Sequence, residues 1–211
     1  MNRARDDILG RIRTRLNAAE PPTHSNRKRP LPPAYVRDSR NLTDLFLQKL
    51  KMTMSSSSAI ERRAELPGHV AALLRERSLP LRLALAREPA LIGLDWASAG
   101  IDTSAALEPL VPGTVVSSAL AGVAETGSLV FSTAAESRPT YNLLAELQIV
   151  ALPVKNIVPD IEGGWRAATT QGVPRGAVFV TGSSRTADIE MTLELGAHGA
   201  VALHVVLIGE G

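Results

Sequence analysis

The chain has 211 residues, 45% of them hydrophobic and 21% charged, which is typical of a globular protein with one sizeable core rather than a disordered one. It contains no cysteine, which excludes disulfides, thiolate metal sites, iron–sulfur ligation by this chain and a cysteine nucleophile. The net charge of +2 is unevenly spread: residues 1–40 carry ten Lys and Arg against four Asp and Glu, and residues 41–211 carry 13 against 17.

Residues 1–50 are predicted to form an N-terminal helical arm outside the main domain. Ile8, Ile12 and Leu16 recur at four-residue intervals, which indicates a helix with a narrow apolar stripe. The arm consists of that helix over residues 2–19, a proline-rich linker over residues 20–33 and a short second helix over residues 40–51. A narrow stripe needs a surface to lie on, which favours exchange of the arm between the protomers of a homo-oligomer.

The positive charge of the arm would suit either nucleic acid or an acidic protein surface. No aromatic residue on which a base could stack precedes Tyr35, so we expect no nucleic acid and favour an acidic surface of the same chain or of a sister subunit. The N-terminus lacks the apolar core of a secretory signal, and no run approaches the roughly 20 apolar residues of a membrane span. We therefore expect a soluble, cytoplasmic protein without a membrane span.

Residues 51–211 alternate between short apolar runs and segments of helical pattern. The predicted strands are residues 53–60, 81–86, 127–132, 148–152, 177–181 and 201–208, and the predicted helices are residues 61–77, 139–146, 156–168 and 187–195. Residues 89–113 are expected to be irregular, with short helical turns near Leu91 and Ala105, and residues 114–121 are ambiguous. The alternation predicts an α/β domain with three layers, in which helices cover both faces of a mostly parallel sheet.

The first candidate site lies in AGVAETGSLVFS, residues 121–132. Gly122 and Gly127 bracket Glu125 and Thr126 directly before a predicted strand. Glycine at such a turn permits a positive φ or a close approach of the backbone to a ligand. The carboxylate and the hydroxyl could orient a substrate or serve in acid–base chemistry, or they could cap backbone groups of the turn; spacing alone favours capping.

The second candidate site lies in VFVTGSSRTADIE, residues 178–190, which reads as a strand, a polar turn and the start of a helix. Open α/β sheets bind ligands at the carboxyl ends of their strands, and helix N-termini attract anions. Asp188 already complements the expected helix dipole, which leaves Arg185 to meet a carboxylate, either from a ligand or from Glu125. Capping of the helix by the hydroxyls of the turn explains the pattern equally well.

A third candidate is His198, in the glycine-rich turn GAHG before the last strand, because histidine suits proton transfer near neutral pH. His204 is interpreted as a structural histidine of the sheet and His69 as a helix-surface residue, while His24 lies in the linker. No pair of histidines has metal-ligand spacing, and the sequence lacks a P-loop, a dinucleotide fingerprint and a GxSxG elbow. We predict no metal and no cofactor.

The motifs AETGSLVFS and GSSRTADIEMTLELGAHG, in this order and at this separation, resemble the LUD domain family over the chain from about residue 45 onwards. The resemblance implies an α/β fold similar to that of the sugar-phosphate isomerases and CoA-transferases. It also implies a role in oxidising L-lactate to pyruvate beside partner proteins that carry iron–sulfur clusters, which fits a chain without cysteine. The family's motif positions are our ligand-binding candidates: Glu125, Thr126, Gly127, Arg138, Ser184, Arg185, Thr186, Asp188 and His198.

The leading hypothesis is a component of a lactate-oxidising system that has no redox centre of its own and binds a small carboxylate or a partner protein. Arg185 would pair with the carboxylate, Thr126 and Ser184 would donate hydrogen bonds, and Glu125 or His198 would move protons if chemistry occurs here. One alternative is a stand-alone enzyme of the isomerase, acyl-transfer or cyclo-ligase type that uses Glu125 as base or nucleophile. A weaker one is a nucleic-acid-binding module led by the basic arm. The sequence leaves open whether the chain is itself an enzyme.

Overall fold

A parallel β-sheet forms the centre of the larger of two compact units, Met1–Pro33 and Ala34–Gly211, in this computed structural model. The structure describes residues 3–18, 41–103, 113–133, 144–170, 172, 174–183, 185–187, 193–195 and 199–209.

The smaller unit contains helix α1, Arg3–Ala18, at the position predicted for the first helix. Ile8 and Ile12 of its apolar stripe are 56% and 48% exposed. These two stripe residues are therefore only about half removed from solvent.

The larger unit is built from helices and strands in alternation. Its described helices are α2 (Leu42–Met52), α3 (Leu66–Glu76), α4 (Pro89–Ile92) and α5 (Ile161–Thr169). Its described strands are β1 (Ser56–Ile60), β2 (Leu83–Leu85), β3 (Thr114–Ser118), β4 (Ala121–Val123), β5 (Ser128–Ser132), β6 (Leu147–Pro153), β7 (Ile157–Val158), β8 (Ala177–Val180), β9 (Arg185–Ala187), β10 (Leu193–Leu195) and β11 (Ala202–Ile208). Single 3₁₀ turns lie at Arg63–Glu65 and Val154–Asn156.

The main sheet has the strand order β1-β11-β6-β3-β2, and every neighbouring pair is parallel. Its central strands β6 and β11 read LQIVALP and ALHVVLI, nearly continuous apolar runs that are buried along almost their whole length. Such runs are typical of parallel strands covered on both faces. The predicted α/β class with a mostly parallel sheet is thus confirmed.

A second, smaller sheet has the order β7-β4-β5-β8 and mixed direction, because β5 runs antiparallel to both β4 and β8 while β7 is parallel to β4. The chain enters this sheet twice from the main one: β4 follows β3 after two residues, and β7 follows β6 after one 3₁₀ turn. The first candidate motif therefore lies in a β-hairpin of the second sheet, between β4 and β5.

Apolar clusters cover both faces of the main sheet. On one face, Val70 and Leu74 of α3 pack with Ile149 and Val206. Adjacent residues of a strand point to opposite faces. On the other face, fully buried Phe46 and Leu50 of α2 share a cluster with Phe131 of the second sheet and with strands β6 and β11. Helix α2, which the sequence analysis assigned to the arm, thus packs within the larger unit.

The helix predicted over residues 187–195 is wrong. The described backbone on either side of residues 188–192 forms strands β9 and β10, which pair antiparallel. The sequence ADIEMTLEL alternates apolar and polar residues with a period of two, which is the pattern of a half-buried strand. The helix start expected after the second motif, and with it the anion-attracting helix terminus, is therefore replaced by a strand.

The helix predicted over residues 156–168 begins later than expected, at Ile161. Pro159 disfavours continuation of a helix through this point, and the Asp160 carboxylate accepts a 2.7 Å hydrogen bond from the Gly163 backbone N–H as the N-cap. The preceding residues form β7 instead. The turn near Ala105 and most of the helix predicted over residues 139–146 lie outside the described residues.

Candidate functional site

The turn between β4 and β5 holds three of the predicted site residues, Glu125, Thr126 and Gly127. The Gly127 backbone N–H donates to the Val123 carbonyl oxygen at 2.8 Å and closes the turn. Gly127 has φ +73°, a conformation that disfavours any residue with a Cβ, so this glycine is required by the turn itself. The Glu125 backbone N–H donates to the Pro159 carbonyl oxygen at 3.1 Å, which ties the turn to the start of α5.

A chain of three hydroxyls joins the two sequence motifs. The Oγ of Ser128 lies 2.6 Å from the Thr126 Oγ1 and 2.7 Å from the Thr181 Oγ1. Ser128, the middle member of the chain, is only 4% exposed, whereas Thr126 is partly buried and Thr181 is exposed. The pairing of β5 with β8 brings Thr181 here, because Val180 is the register partner of Leu129. The first motif and the start of the second motif therefore meet at one end of the second sheet.

The C-terminal end of α2 supports both loops. A Cβ placed on Gly127 would lie 2.9 Å from the Lys49 Cβ and 3.0 Å from the Leu50 backbone nitrogen. A Cβ placed on Gly182, which has φ +84°, would lie 2.6 Å from the Thr53 Cβ and 2.7 Å from the Thr53 carbonyl oxygen. Both loops thus contact α2 through glycine backbone, with no space for a side chain.

The structure places only part of the predicted site. Arg185 and Thr186 lie in β9, where their register partners in β10 are Leu195 and Glu194, and only their backbone is described. Four further candidates lie outside the described residues: Arg138, Ser184, Asp188 and His198. The expected convergence of Glu125 with the arginine and histidine of the second motif therefore stays a prediction.

A second polar cluster, which the sequence analysis did not find, lies on the α3 face of the main sheet. The Arg77 Nη2 donates to the Ser56 Oγ at 2.8 Å, and the Ser56 Oγ lies 2.7 Å from the His204 Nδ1. The other nitrogen of His204, Nε2, lies 2.8 Å from the Ser58 Oγ, which lies 2.6 Å from the His69 Nε2. We call these five side chains the histidine–serine chain.

Chemistry fixes the direction of the hydrogen bonds in the histidine–serine chain. The Arg77 guanidinium only donates, and its Nη2 lies 3.3 Å from the His204 Nδ1, so that nitrogen is the unprotonated acceptor. Ser56 therefore accepts from Arg77 and donates to Nδ1, and the Nε2–H of His204 donates to Ser58. Ser58 in turn donates to the His69 Nε2. Every group then makes complementary bonds.

Burial is the main cause that lowers the pKa of His204 to about 4, and the charge of Arg77 and the proximity of His69 lower it further. His204 is only 3% exposed and is neutral at pH 7. Two signals in the sequence point to this cluster: Ser56 and Ser58 lie two residues apart on one face of a strand, and His204 interrupts an apolar run. Neither signal shows that the two serines contact His204, which is at least 146 residues away in the sequence.

Among the described residues, no group of three or more His, Cys, Asp or Glu is arranged to hold a metal ion. No helix in the described part of the chain is long and apolar enough to cross a membrane.

Residues 113–208 match the family model of the LUD domain. The match contains both candidate motifs and the last three strands, and it confirms the resemblance drawn from the motifs. Strand β1 and helices α2 and α3 lie outside the match.

Curated relatives carry names that refer to lactate. Over 86 residues the chain is 31% identical to lactate utilization protein C of Anoxybacillus flavithermus, covering 41% of this chain and 39% of that one. Over 92 residues it is 30% identical to lactate utilization protein C of Geobacillus thermodenitrificans, covering 41% and 38%. An uncharacterized protein of Neisseria meningitidis is 29% identical over 96 residues, covering 44% and 40%. The matches thus span about two fifths of the relatives' length.

A solved structure shares the fold. The crystal structure of a DUF162 family protein from Deinococcus radiodurans matches with a TM-score of 0.58 and 20% sequence identity, and the match covers 80% of this chain and 96% of that one. At this identity the likeness concerns the fold alone.

Proposed function

We propose that this chain is a component of a system that oxidises L-lactate to pyruvate, and that it binds a small carboxylate or partner proteins without a redox centre of its own. Support comes from the LUD domain match over residues 113–208 and from two relatives named lactate utilization protein C. Because the matches span only about two fifths of those relatives, the activity belongs to the proposal.

The observation that carries the proposal furthest is the hydroxyl chain of Thr126, Ser128 and Thr181, which joins the two motifs. A ligand site needs polar groups from separate loops at one place, and this end of the second sheet supplies them. In the proposed site Arg185 pairs with the carboxylate of the ligand, since guanidinium and carboxylate form paired hydrogen bonds. Glu125 in the adjoining turn is the candidate for moving a proton.

The division of labour between proteins is the one that the family resemblance implies, and the composition of the chain fits it. Oxidation of lactate to pyruvate releases two electrons and two protons, and a chain without cysteine has no thiolates to bind an iron–sulfur cluster. We therefore propose that iron–sulfur partner proteins accept the electrons, in the cytoplasm. The chain described here would hold the carboxylate or the partners in place.

Binding of L-lactate and pyruvate to the purified chain, measured by calorimetry with acetate for comparison, tests the ligand part of the proposal. We expect Arg185→Gln to weaken binding at least about tenfold, because it removes a charge-assisted hydrogen bond. Arg175→Gln is the matched control, since Arg175 is an exposed arginine of the segment that leads into β8. Equal affinities of the two variants would contradict the role of Arg185.

Co-purification from the native host tests the partner part. Recovery of iron–sulfur proteins together with the chain supports the proposal. A chain that is recovered alone, and whose melting temperature responds neither to lactate nor to pyruvate, contradicts it. Turnover of a substrate by the isolated chain, lost in Glu125→Gln, would instead favour a stand-alone enzyme.

A further inference from the structure

The histidine–serine chain connects three elements that the LUD domain match does not unite. Ser56 and Ser58 belong to β1, His69 and Arg77 belong to α3 and its C-terminal end, and His204 belongs to β11. Only His204 lies inside the matched residues. The network therefore links the matched core to the preceding part of the chain.

Strand β1 depends on this link more than the inner strands do. It lies at the edge of the main sheet and pairs only with β11 among the described strands. Its sequence SSSAI has few apolar side chains to bury, and four of its five residues are only partly buried. Hydrophobic burial alone thus holds β1 weakly, and the side-chain hydrogen bonds on its α3 face add to its backbone pairing with β11.

We propose that the histidine–serine chain is an acid-sensitive latch, which holds β1 and α3 on β11 while His204 is neutral and releases them when His204 is protonated. A proton on Nδ1 would point at the Ser56 hydroxyl and at the Arg77 guanidinium, which are both donors in the latched arrangement. The Ser56 hydroxyl would have to turn its proton towards the Leu203 carbonyl oxygen, 3.4 Å away, and two positive charges would face each other, with the Arg77 Nη2 3.3 Å from Nδ1. The latched arrangement therefore disfavours the protonated ring.

No described group facing His204 offsets this repulsion. The charged or titratable groups that reach it are Arg77 and His69 from α3. Strand β1 presents the two serine hydroxyls, and β6 presents apolar Ile149 as the register partner. No carboxylate is among the hydrogen-bond partners described for these side chains.

The pKa of His204, lowered to about 4 by burial first and then by Arg77 and His69, agrees with the latch. A released His204 would return towards the ordinary histidine value of 6.5. Because the latched pKa is the lower one, the latch contributes its full stability above pH 6.5 and loses it as the pH falls towards 4.

The latch also bears on the proposed ligand site, a step that rests on the proposed function. Ser56 follows Thr53 by three residues, and Gly182 of the second motif packs against the Thr53 Cβ and carbonyl oxygen. Thr53 is also held by α2, because its backbone N–H donates to the Lys49 and Leu50 carbonyl oxygens, so release of β1 would remove only part of the support for this loop. The loop with Gly182 should then become somewhat more open, and ligand affinity should fall with it.

Hydrogen exchange of the full-length protein at a series of pH values tests the latch. From the two pKa values, the opening constant of β1, corrected for intrinsic exchange, should rise about 70-fold between pH 7.5 and pH 4.5. In His204→Gln, which keeps a donor and an acceptor but does not titrate, this rise should disappear. His24→Gln, a histidine of the smaller unit, should behave as wild type. An equal rise in wild type and His204→Gln, or no rise in either, overturns the latch.

A second variant and a spectroscopic readout cover the case in which His204→Gln does not fold. Arg77→Met removes the facing charge, so the pH dependence of β1 opening should become weaker than in wild type; an unchanged dependence overturns the proposal. The ¹⁵N shifts of the rings should show a proton on Nε2 of His204 and on Nδ1 of His69 at pH 7. The reverse tautomers would contradict the direction of the chain.

The link to the ligand site has its own readout. Exchange of residues 181–183 should rise with that of β1 in wild type and stay constant in His204→Gln. Unchanged exchange of this loop while β1 opens overturns the coupling, whether or not a ligand binds. Failure of the wild-type protein to bind lactate or pyruvate at pH 7 counts against the proposed function instead.

Discussion

Two glycines set the geometry of the loops at the proposed site. Gly127 and Gly182 both have positive φ, and in both a Cβ would collide with α2 or with the residue that follows it. Each glycine therefore meets two demands at once, a left-handed backbone and close approach of another segment. At such positions alanine costs more than backbone strain alone.

Gly182→Ala should lower the free energy of unfolding by about 3 kcal/mol, because left-handed backbone strain of about 1–2 kcal/mol adds to overpacking against Thr53. Gly172→Ala is the matched control. Gly172 also has a positive φ, +104°, but no atom lies within 4 Å of a Cβ placed there, so we expect Gly172→Ala to lower the free energy of unfolding by about 1 kcal/mol. Urea unfolding curves measure the free energy of unfolding of both variants. Equal losses in the two variants would show that contact with Thr53 adds nothing to the cost at Gly182.

The sequence alone predicts part of this residue-level detail. The glycines around Glu125 suggested positive φ or close approach, and the structure has the first at Gly127 and the second at Gly122, where a Cβ would lie 2.7 Å from the Leu152 Cδ2. The contacting segment could not be predicted, since Lys49 and Phe46 are far away in sequence. The histidine–serine chain could not be predicted for the same reason, since its serines and His204 are about 150 residues apart in the sequence.

At the scale of elements, helix α5 contains two glycines that lower its helix propensity but allow it to pack closely on the second sheet. Gly163 and Gly164 lower helix propensity. In the structure they face the second sheet, and a Cβ on Gly164 would lie 3.0 Å from both the Phe179 Cε1 and the Val123 Cγ2. Their missing side chains let the helix lie directly on β4, β5 and β8.

Gly164→Leu should therefore lower the free energy of unfolding by about 2 kcal/mol through overpacking of this interface. The matched control is Gly68→Leu in α3, where a Cβ meets nothing within 4 Å and the residue is exposed. Leucine there should raise stability by up to about 1 kcal/mol through helix propensity. Thermal or urea unfolding distinguishes the two, and stabilisation by both changes would contradict the close packing of α5.

Most elements follow from sequence patterns, and the failures have definite physical causes. The long apolar runs of β6 and β11 predict buried parallel strands, as observed. The strand at residues 177–181 is also present as β8, but it lies in the second sheet, antiparallel to β5, because pairing partners are set by tertiary contacts. The helix predicted over residues 187–195 is wrong because it rests on the preceding strand and polar turn, whereas the period of two in this sequence indicates a strand.

At the scale of the whole molecule, α2 is the element that makes the two sheets one body. Phe46 and Leu50 fill the space between the main sheet and Phe131 of the second sheet, and both are fully buried. The end of the same helix supports the loops with Gly127 and Gly182. The apolar face of α2 is visible in the sequence, but its partner surface arises only when distant strands assemble.

Truncation tests this arrangement. A chain that starts at Ala34 keeps α2, and it loses a helix whose described stripe residues Ile8 and Ile12 remain about half exposed. Its melting temperature should lie within a few degrees of the full chain, since exposed contacts contribute little to stability.

A chain that starts at residue 51, the boundary expected from the sequence, lacks α2. It loses the burial of Phe46 and Leu50, about 2–3 kcal/mol for each side chain, and exposes the apolar surface that they cover on both sheets. Total stabilities of domains are about 5–15 kcal/mol, so this chain should unfold at much lower urea concentration or fail to fold cooperatively. Circular dichroism during urea titration compares the two truncations. Equal unfolding midpoints would show that α2 is dispensable and that the arm extends to residue 50.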